Sequence, residues 1–299
     1  MSFKATRYEG MLLMASIIWG TSFAAIKVGV SQVDVYAFTF LRYGVAAVSI
    51  VIILLLMRSG WGIFRWKELW YLAIINAAAA LLQNLGMMMT TATDALLLID
   101  INVVYIALIA ALVLKEKLTK QIALGLTLGL AGVLFIATEG DPTNVFNGSA
   151  TGNIIVFLAS VIWAVYVVYL TKILRVKGRI IEATGVIMVE TTLVLAPICL
   201  VLATSWSSSL VGWSSIIYLG LASTTFASFL YSYGLERLGA TLSSIIMMAE
   251  IVFGLLFSYL LLGEQWDGAT VIGGAFIMLA IAVISIRLDS VRGDGSVQE

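Results

Sequence analysis

Asp100, Glu190 and Glu250 stand deep inside runs of apolar residues, and Lys27 and Arg42 lie within or at the edge of two others. A charge at the centre of a membrane span costs about 2.5–3.5 kcal/mol, so each such group needs a partner, a water-filled cavity or a neutralising proton. This admits two chemistries. Glu250 or Asp100 can exchange a proton with whatever occupies a cavity, or Lys27 or Arg42 can neutralise a carboxylate as a fixed charge pair. Lys27 can also snorkel to an interface, and Glu190 has the plainer reading of a partner for a neighbouring basic or hydroxyl group. Amides add a third element. Asn76, Gln83 and Asn84 fall in one apolar run, with Asn76 and Gln83 seven residues apart and so on one helix face. Such amides hold a zwitterionic or polyol solute, or pin neighbouring helices.

Other chemistries lack their residues. The chain has no histidine, which removes the commonest general base, metal ligand and proton relay, and its single cysteine, Cys199, forms no metal-binding pattern. HExxH, GxSxG and the P-loop are missing, so no metal, cofactor or nucleotide site is expected. Seventeen basic and 17 acidic residues cancel, leaving no electrostatic footprint for nucleic acid.

The elements that must position these groups are membrane helices. Of 299 residues, 61% are apolar and 11% charged, against about 45–50% and 25% in soluble domains. Runs of about 20 apolar residues cross a hydrocarbon core of about 30 Å. Ten such runs occur, near Met11–Gly29, Tyr36–Met57, Glu68–Met89, Ala92–Val113, Gln121–Thr138, Gly152–Leu170, Glu182–Ala203, Trp213–Gly234, Ala240–Leu262 and Gly268–Arg287. Lys4 and Arg7 precede the first run as in a signal peptide, but no small-residue cleavage site follows, so it is kept as a span.

Fifteen of the 17 basic residues fall at the termini or in the loops between spans 2 and 3, 4 and 5, 6 and 7, and 8 and 9, all on one side. The positive-inside rule then makes both termini cytoplasmic. The lack of a targeting extension points to a plasma or inner membrane. Asn147-Gly148-Ser149, in the opposite-side loop, has the glycosylation pattern, which chance readily produces.

The second half repeats the first. A shift of 148 lays Gly86 on Gly234, Ala92-Thr93 on Ala240-Thr241, Glu116 on Glu264 and Gly125 on Gly273, while Trp19 meets Trp163 at a shift of 144. A five-span unit forces the copies into opposite orientations, an arrangement typical of secondary transporters with a midplane site. The expected fold is therefore all-α and integral to the membrane, with two inverted five-helix repeats. Its divisions are residues 1–139, an outer linker 140–151, residues 152–288, and a tail 289–299.

Motifs in both halves carry a resemblance. They are Trp19-Gly20-Thr21-Ser22-Phe23 with Ile26-Lys27, Leu41-Arg42-Tyr43 with Ala46-Ala47, Leu82-Gln83-Asn84-Leu85-Gly86, and Leu114-Lys115-Glu116-Lys117-Leu118-Thr119 with Gly125 and Gly132. The second half adds Trp163-Ala164-Val165-Tyr166, Ala249-Glu250-Ile251-Val252, and Leu262-Gly263-Glu264 with Gly273. The chain resembles the drug/metabolite transporter superfamily, EamA type, over essentially its whole length. The resemblance implies a ten-helix basket whose cavity is lined by spans 1, 3, 4, 6, 8 and 9, and export or exchange of small organic metabolites such as amino acids. Glu250 and its repeat counterpart Asn102 resemble the family's polar site, and Trp19, Trp163, Tyr166 and Tyr231 fall on spans it places at the cavity.

Where such families carry proline in spans 4 and 9, Val103 and Ile251 stand here, so straighter spans are expected. Glu116 and Glu264 are expected to pack helix ends without touching substrate. Gly125, Gly129 and Gly132 include a GxxxG spacing that fits packing within the chain, with a homodimer face as the alternative. Two other functions compete with alternating-access transport: a membrane-embedded enzyme built on intramembrane carboxylates, and a non-transporting receptor or scaffold.

Overall fold

The computed structural model describes residues 7–59, 61–138, 149–263 and 268–295. Lys4, the linker residues 139–148 with Asn147 and Gly148, Glu264 and the tail beyond residue 295 lie outside the described residues. Among the described residues the chain is all helical, with ten helices long and apolar enough to cross a membrane. They are α1 (Arg7–Gln32), α2 (Val35–Leu56), α3 (Lys67–Met89), α4 (Ala92–Val113), α5 (Lys120–Ala137), α6 (Ala150–Lys177), α7 (Ile180–Leu202), α8 (Leu210–Leu238), α9 (Ala240–Leu261) and α10 (Gly268–Ser285). Leu56, Leu112, Val201 and Leu210 are each 80% or more exposed, an apolar outer surface that suits lipid and not water.

Helix starts are set by side chains that answer the first free amides. Asp34 Oδ1 accepts from the amides of Tyr36 and Ala37 at the head of α2. Thr91, Thr119, Ser149 and Ser209 cap α4, α5, α6 and α8 in the same way. The start of α9 has Gly239 at its cap and takes its acceptor from elsewhere. Glu116, in the turn after α4, receives the amides of Ala240 at 3.1 Å and Thr241 at 3.0 Å, and Arg175 at the end of α6 pairs with the same carboxylate at 3.0 Å. Glu116 thus packs helix ends, as expected.

Packing joins the halves. Helix α1 lies against α8 and α9, α6 against α3 and α4, α2 against α7, and α5 against α10. The α5–α10 contact is made by glycines. A Cβ on Gly132 would come within 2.6 Å of the Gly273 carbonyl, and one on Gly273 within 2.6 Å of the Gly132 carbonyl. Gly125 faces Ile284 and Gly129 faces Met248. These glycines are packed from within the chain, the first of the two readings of the stripe.

Without proline, α4 and α9 are nevertheless interrupted, α4 at Ile101 and α9 at Met248. The backbone tightens there by short i to i+3 bonds, Val104 N–H to Ile101 O at 3.1 Å and Ile251 N–H to Met248 O at 3.0 Å. A local 3₁₀ turn thus breaks each helix without proline.

Two predictions concern stability. Gly132→Val must push α5 from α10 and lowers the thermal midpoint in detergent by an amount corresponding to about 1–3 kcal/mol, while Gly44→Ala, where a Cβ meets nothing within 4 Å, leaves it unchanged. Asp34 also accepts from the Thr204 amide and hydroxyl. Its partial burial raises its pKa, but the Thr204 hydroxyl and the amides of Ala37, Thr204 and Tyr36 outweigh this and hold it below the ordinary 3.8. Its contribution is therefore complete above that value and fades as pH falls through the lower folded-state value. Asp34→Ala should cost about 1 kcal/mol at neutral pH, and thermal unfolding across pH should show the gap from wild type closing in acid.

Candidate functional site

The functional side chains are brought together by helix faces. On α1, Trp19, Ser22 and Phe23 follow the i, i+3, i+4 pattern and so project on one side. On α3, Asn76, Ala80 and Gln83, spaced i, i+4, i+7, likewise share one side. The interruptions in α4 and α9 set Asp100 and Asn102 on either side of Ile101, and Met247 and Glu250 on either side of Met248. These residues line one central cavity of about 90 Å³, together with Arg42 and Tyr43 from α2, Trp163 from α6, Met188 from α7, and Ser223, Thr224, Ser228 and Tyr231 from α8. Helices α2 and α7 therefore join the six spans expected to form the lining.

Helix α8 is wound as a π-helix from Leu219 to Ala227, where it passes the cavity. The Thr225 hydroxyl reaches the Gly220 carbonyl at 2.9 Å. The wider winding presents polar atoms inward, as π segments at functional sites do. The Trp19 indole N–H donates to the Ser223 carbonyl at 2.9 Å. Arg42 Nε donates to Thr224 Oγ1 at 2.9 Å, and its guanidinium reaches Ser223 Oγ at 3.4 Å.

One wall is aromatic. Trp19 meets Trp163 edge-on at 5.9 Å between ring centroids and Tyr231 at 5.0 Å. Trp163 in turn rests on Tyr166 at 4.9 Å.

Charge is distributed unusually. Asp100 and Glu250 are both buried and both line the cavity, as does the Arg42 guanidinium. Among the described residues Arg42 makes no ion pair with either carboxylate, and Asp100 Oδ2 has no hydrogen-bond partner. The static neutralisation weighed for Arg42 is absent, because its donors are directed to α8 hydroxyls. Asn76 is likewise half satisfied. Its Nδ2 donates to Thr191 Oγ1 at 3.1 Å, while its buried Oδ1 has no partner among the described residues.

Four expected residues lie elsewhere. Asn84 is buried and donates to Thr39 Oγ1 at 2.9 Å, tying α3 to α2. Tyr166 is buried behind Trp163 and outside the cavity lining. Glu190 is fully buried on α7, with neither carboxyl oxygen hydrogen-bonded among the described residues, and it does not reach the cavity. The Lys27 ammonium donates to the carbonyls of Met87 at 2.8 Å and Thr90 at 2.6 Å, closing the end of α3, where a cation answers free carbonyls and the helix dipole. Conversely, Ser22 and Tyr43 were quoted from sequence only as parts of the resemblance motifs, and Ser228 and the Ser223–Thr224 pair were not singled out. For the α8 residues the only signal was a run of hydroxyls in mid-span, which is common wherever membrane helices pack.

Residues 7–138 and 150–286 match the EamA-like transporter family. A protein of Archaeoglobus fulgidus (strain ATCC 49558 / DSM 4304 / JCM 9628 / NBRC 100126 / VC-16) named an uncharacterized transporter is 27% identical over 278 residues, covering 92% of this chain and 97% of that one. A probable terminal-alkyne amino-acid exporter of Streptantibioticus cattleyicolor (strain ATCC 35852 / DSM 46488 / JCM 4925 / NBRC 14057 / NRRL 8057) is 26% identical over 300 residues, covering 98% of each chain. A crystal structure aligns with a TM-score of 0.77 at 20% identity over 94% of this chain and 98% of its own, a likeness of fold. These names describe transporters and not enzymes. With its two matched segments spanning nearly all of the ten-helix body, the chain is a multi-pass membrane protein that belongs to the EamA-like transporter family.

Proposed function

We propose that this protein is a secondary transporter that exports or exchanges small zwitterionic metabolites, amino acids first, by alternating access around the central cavity. One observation carries the reading: a guanidinium and two carboxyl groups line the same buried cavity without pairing with one another. Charges left apart in a low-dielectric site are costly unless a ligand answers them. A zwitterion does so at both ends. Its carboxylate takes Arg42, its ammonium takes Asp100 and Glu250, and its side chain rests against Trp19, Trp163 and Tyr231. Gln83 and Asn102 supply further polar contact, and the likeness to an amino-acid exporter supports the same class.

The wider frame of the proposal is two inverted repeats, residues 1–139 and 152–288, in a plasma or inner membrane with both termini cytoplasmic. The reciprocal contacts support it, since α1 with α9 mirrors α6 with α4, and α1 with α8 mirrors α6 with α3. Coupling to protons through Glu250 or Asp100 completes it, because a carboxyl that loses its ammonium partner on substrate release is ready to take a proton.

Counterflow in liposomes tests both parts. Wild type should exchange at least one radiolabelled amino acid, and Glu250→Gln should keep exchange while losing accumulation driven by a pH gradient. Equal proton-driven accumulation in wild type and variant overturns the coupling, and absence of exchange across a broad panel in folded protein overturns transport of this class. Arg42→Gln should raise the half-saturating concentration of an exchanged amino acid about tenfold or more, the effect of losing one charged hydrogen bond, and should affect an analogue lacking the carboxylate far less. An equal effect on both compounds would show that Arg42 does not read the carboxylate.

A further inference from the structure

A second concavity lies outside the basket. A groove of about 510 Å³ opens on the surface between α3 and α6, at the ends bearing the basic loops. Its walls are apolar and aromatic, with Tyr71 65% and Tyr169 43% exposed on either side and Val176 76% exposed. From Glu68 to Ile75 it follows about 10 Å of helix. Surface of this kind beside a span faces lipid.

The rim carries the argument. Four cations cluster at this end of α6, and three have carboxylate partners. Arg175 pairs with Glu116, Lys177 with Glu68 at 3.0 Å, and Arg179 with Glu182. Lys177 is further held over the Trp66 ring at 4.4 Å. Lys172 lines the groove, lies more than a turn deeper than Lys177, and makes no ion pair among the described residues. Its exposed ammonium group, beside an apolar groove and without a carboxylate partner among the described residues, is offered to an outside anion, and basic pockets between spans at this membrane face suit acidic lipid head groups.

We propose that the groove binds an anionic glycerophospholipid, with one acyl chain against Tyr71, Tyr169 and Val176 and the phosphate on Lys172. The Glu68–Lys177 pair is neutral overall and sets the rim, so the site's net positive charge is that of Lys172. The site is distinct from the central cavity, and its test does not depend on transport.

Native mass spectrometry of the full-length protein in detergent, with equimolar dioleoyl phosphatidylglycerol and dioleoyl phosphatidylcholine, reads the preference directly. Wild type should retain phosphatidylglycerol about fivefold over phosphatidylcholine. Lys172→Gln should bring the two to parity, and Lys120→Gln, at the same membrane face but outside the groove, should keep the preference. Parity in wild type, or an unchanged preference in Lys172→Gln, overturns the proposal. Excess glycerol phosphate should fail to displace the lipid; displacement would mean that the acyl groove contributes nothing. Val176→Cys in a Cys199→Ser background should stay monomeric under oxidation in membranes, whereas an efficient disulfide-linked dimer would assign the groove to a second copy and overturn the lipid site.

Discussion

The hydrocarbon core of a membrane gives no water to a backbone amide or a charge, and this chain is arranged around that refusal. Ten helices close their own hydrogen bonds, and the groups left over at their ends are met by neighbours. Lys27 closes the carbonyl end of α3, Glu116 answers the first amides of α9, and Asp34 ties the head of α2 to Thr204. Among the described polar groups left without a hydrogen-bond partner, Asn76 Oδ1 and Asp100 Oδ2 belong to residues that line the central cavity, whereas Glu190 stands apart from it on α7.

How far the sequence could be read follows from the same physics. Span number was legible because the thickness of the core fixes the length of an apolar run. The ends were less so: α6 continues to Lys177 and α8 begins at Leu210, since charged or polar residues beyond the core still ride the helix. Depth was legible and azimuth was not. Gln83 and Asn84 lie at one depth, but a step of one residue turns the side chain about 100°, so Gln83 meets the cavity while Asn84 meets Thr39. Glu190 was visible as a buried acid in the same way as Asp100, yet only one of them faces the cavity. The interruptions at Ile101 and Met248 gave no proline to announce them, and the π winding of α8 left only a run of hydroxyls.

That winding and those breaks work together. A regular α8 would bond its carbonyls along its own axis, and a regular α4 would carry Asp100 and Asn102 about 200° apart around one uninterrupted cylinder. Two tightened turns, in α4 and α9, and the wider winding of α8 let Ser223, Thr224, Asp100 and Glu250 share one space. The cavity thus combines an aromatic wall with charges of both signs, within helices whose outer faces are almost wholly apolar.

The Glu116 clasp bears on how the chain is built at the ribosome. Its acceptor is made in the first half, whereas its three donors come from α6 and from the start of α9. The partners of α2 and α5 are also synthesised late, as α7 and α10. The early helices must therefore wait in the bilayer with their glycine faces and their carboxylate unanswered until the later ones arrive. The glycine face of α5 is covered only once α10 has been made, so a nascent chain stopped after α5 holds surfaces shaped for helices not yet made.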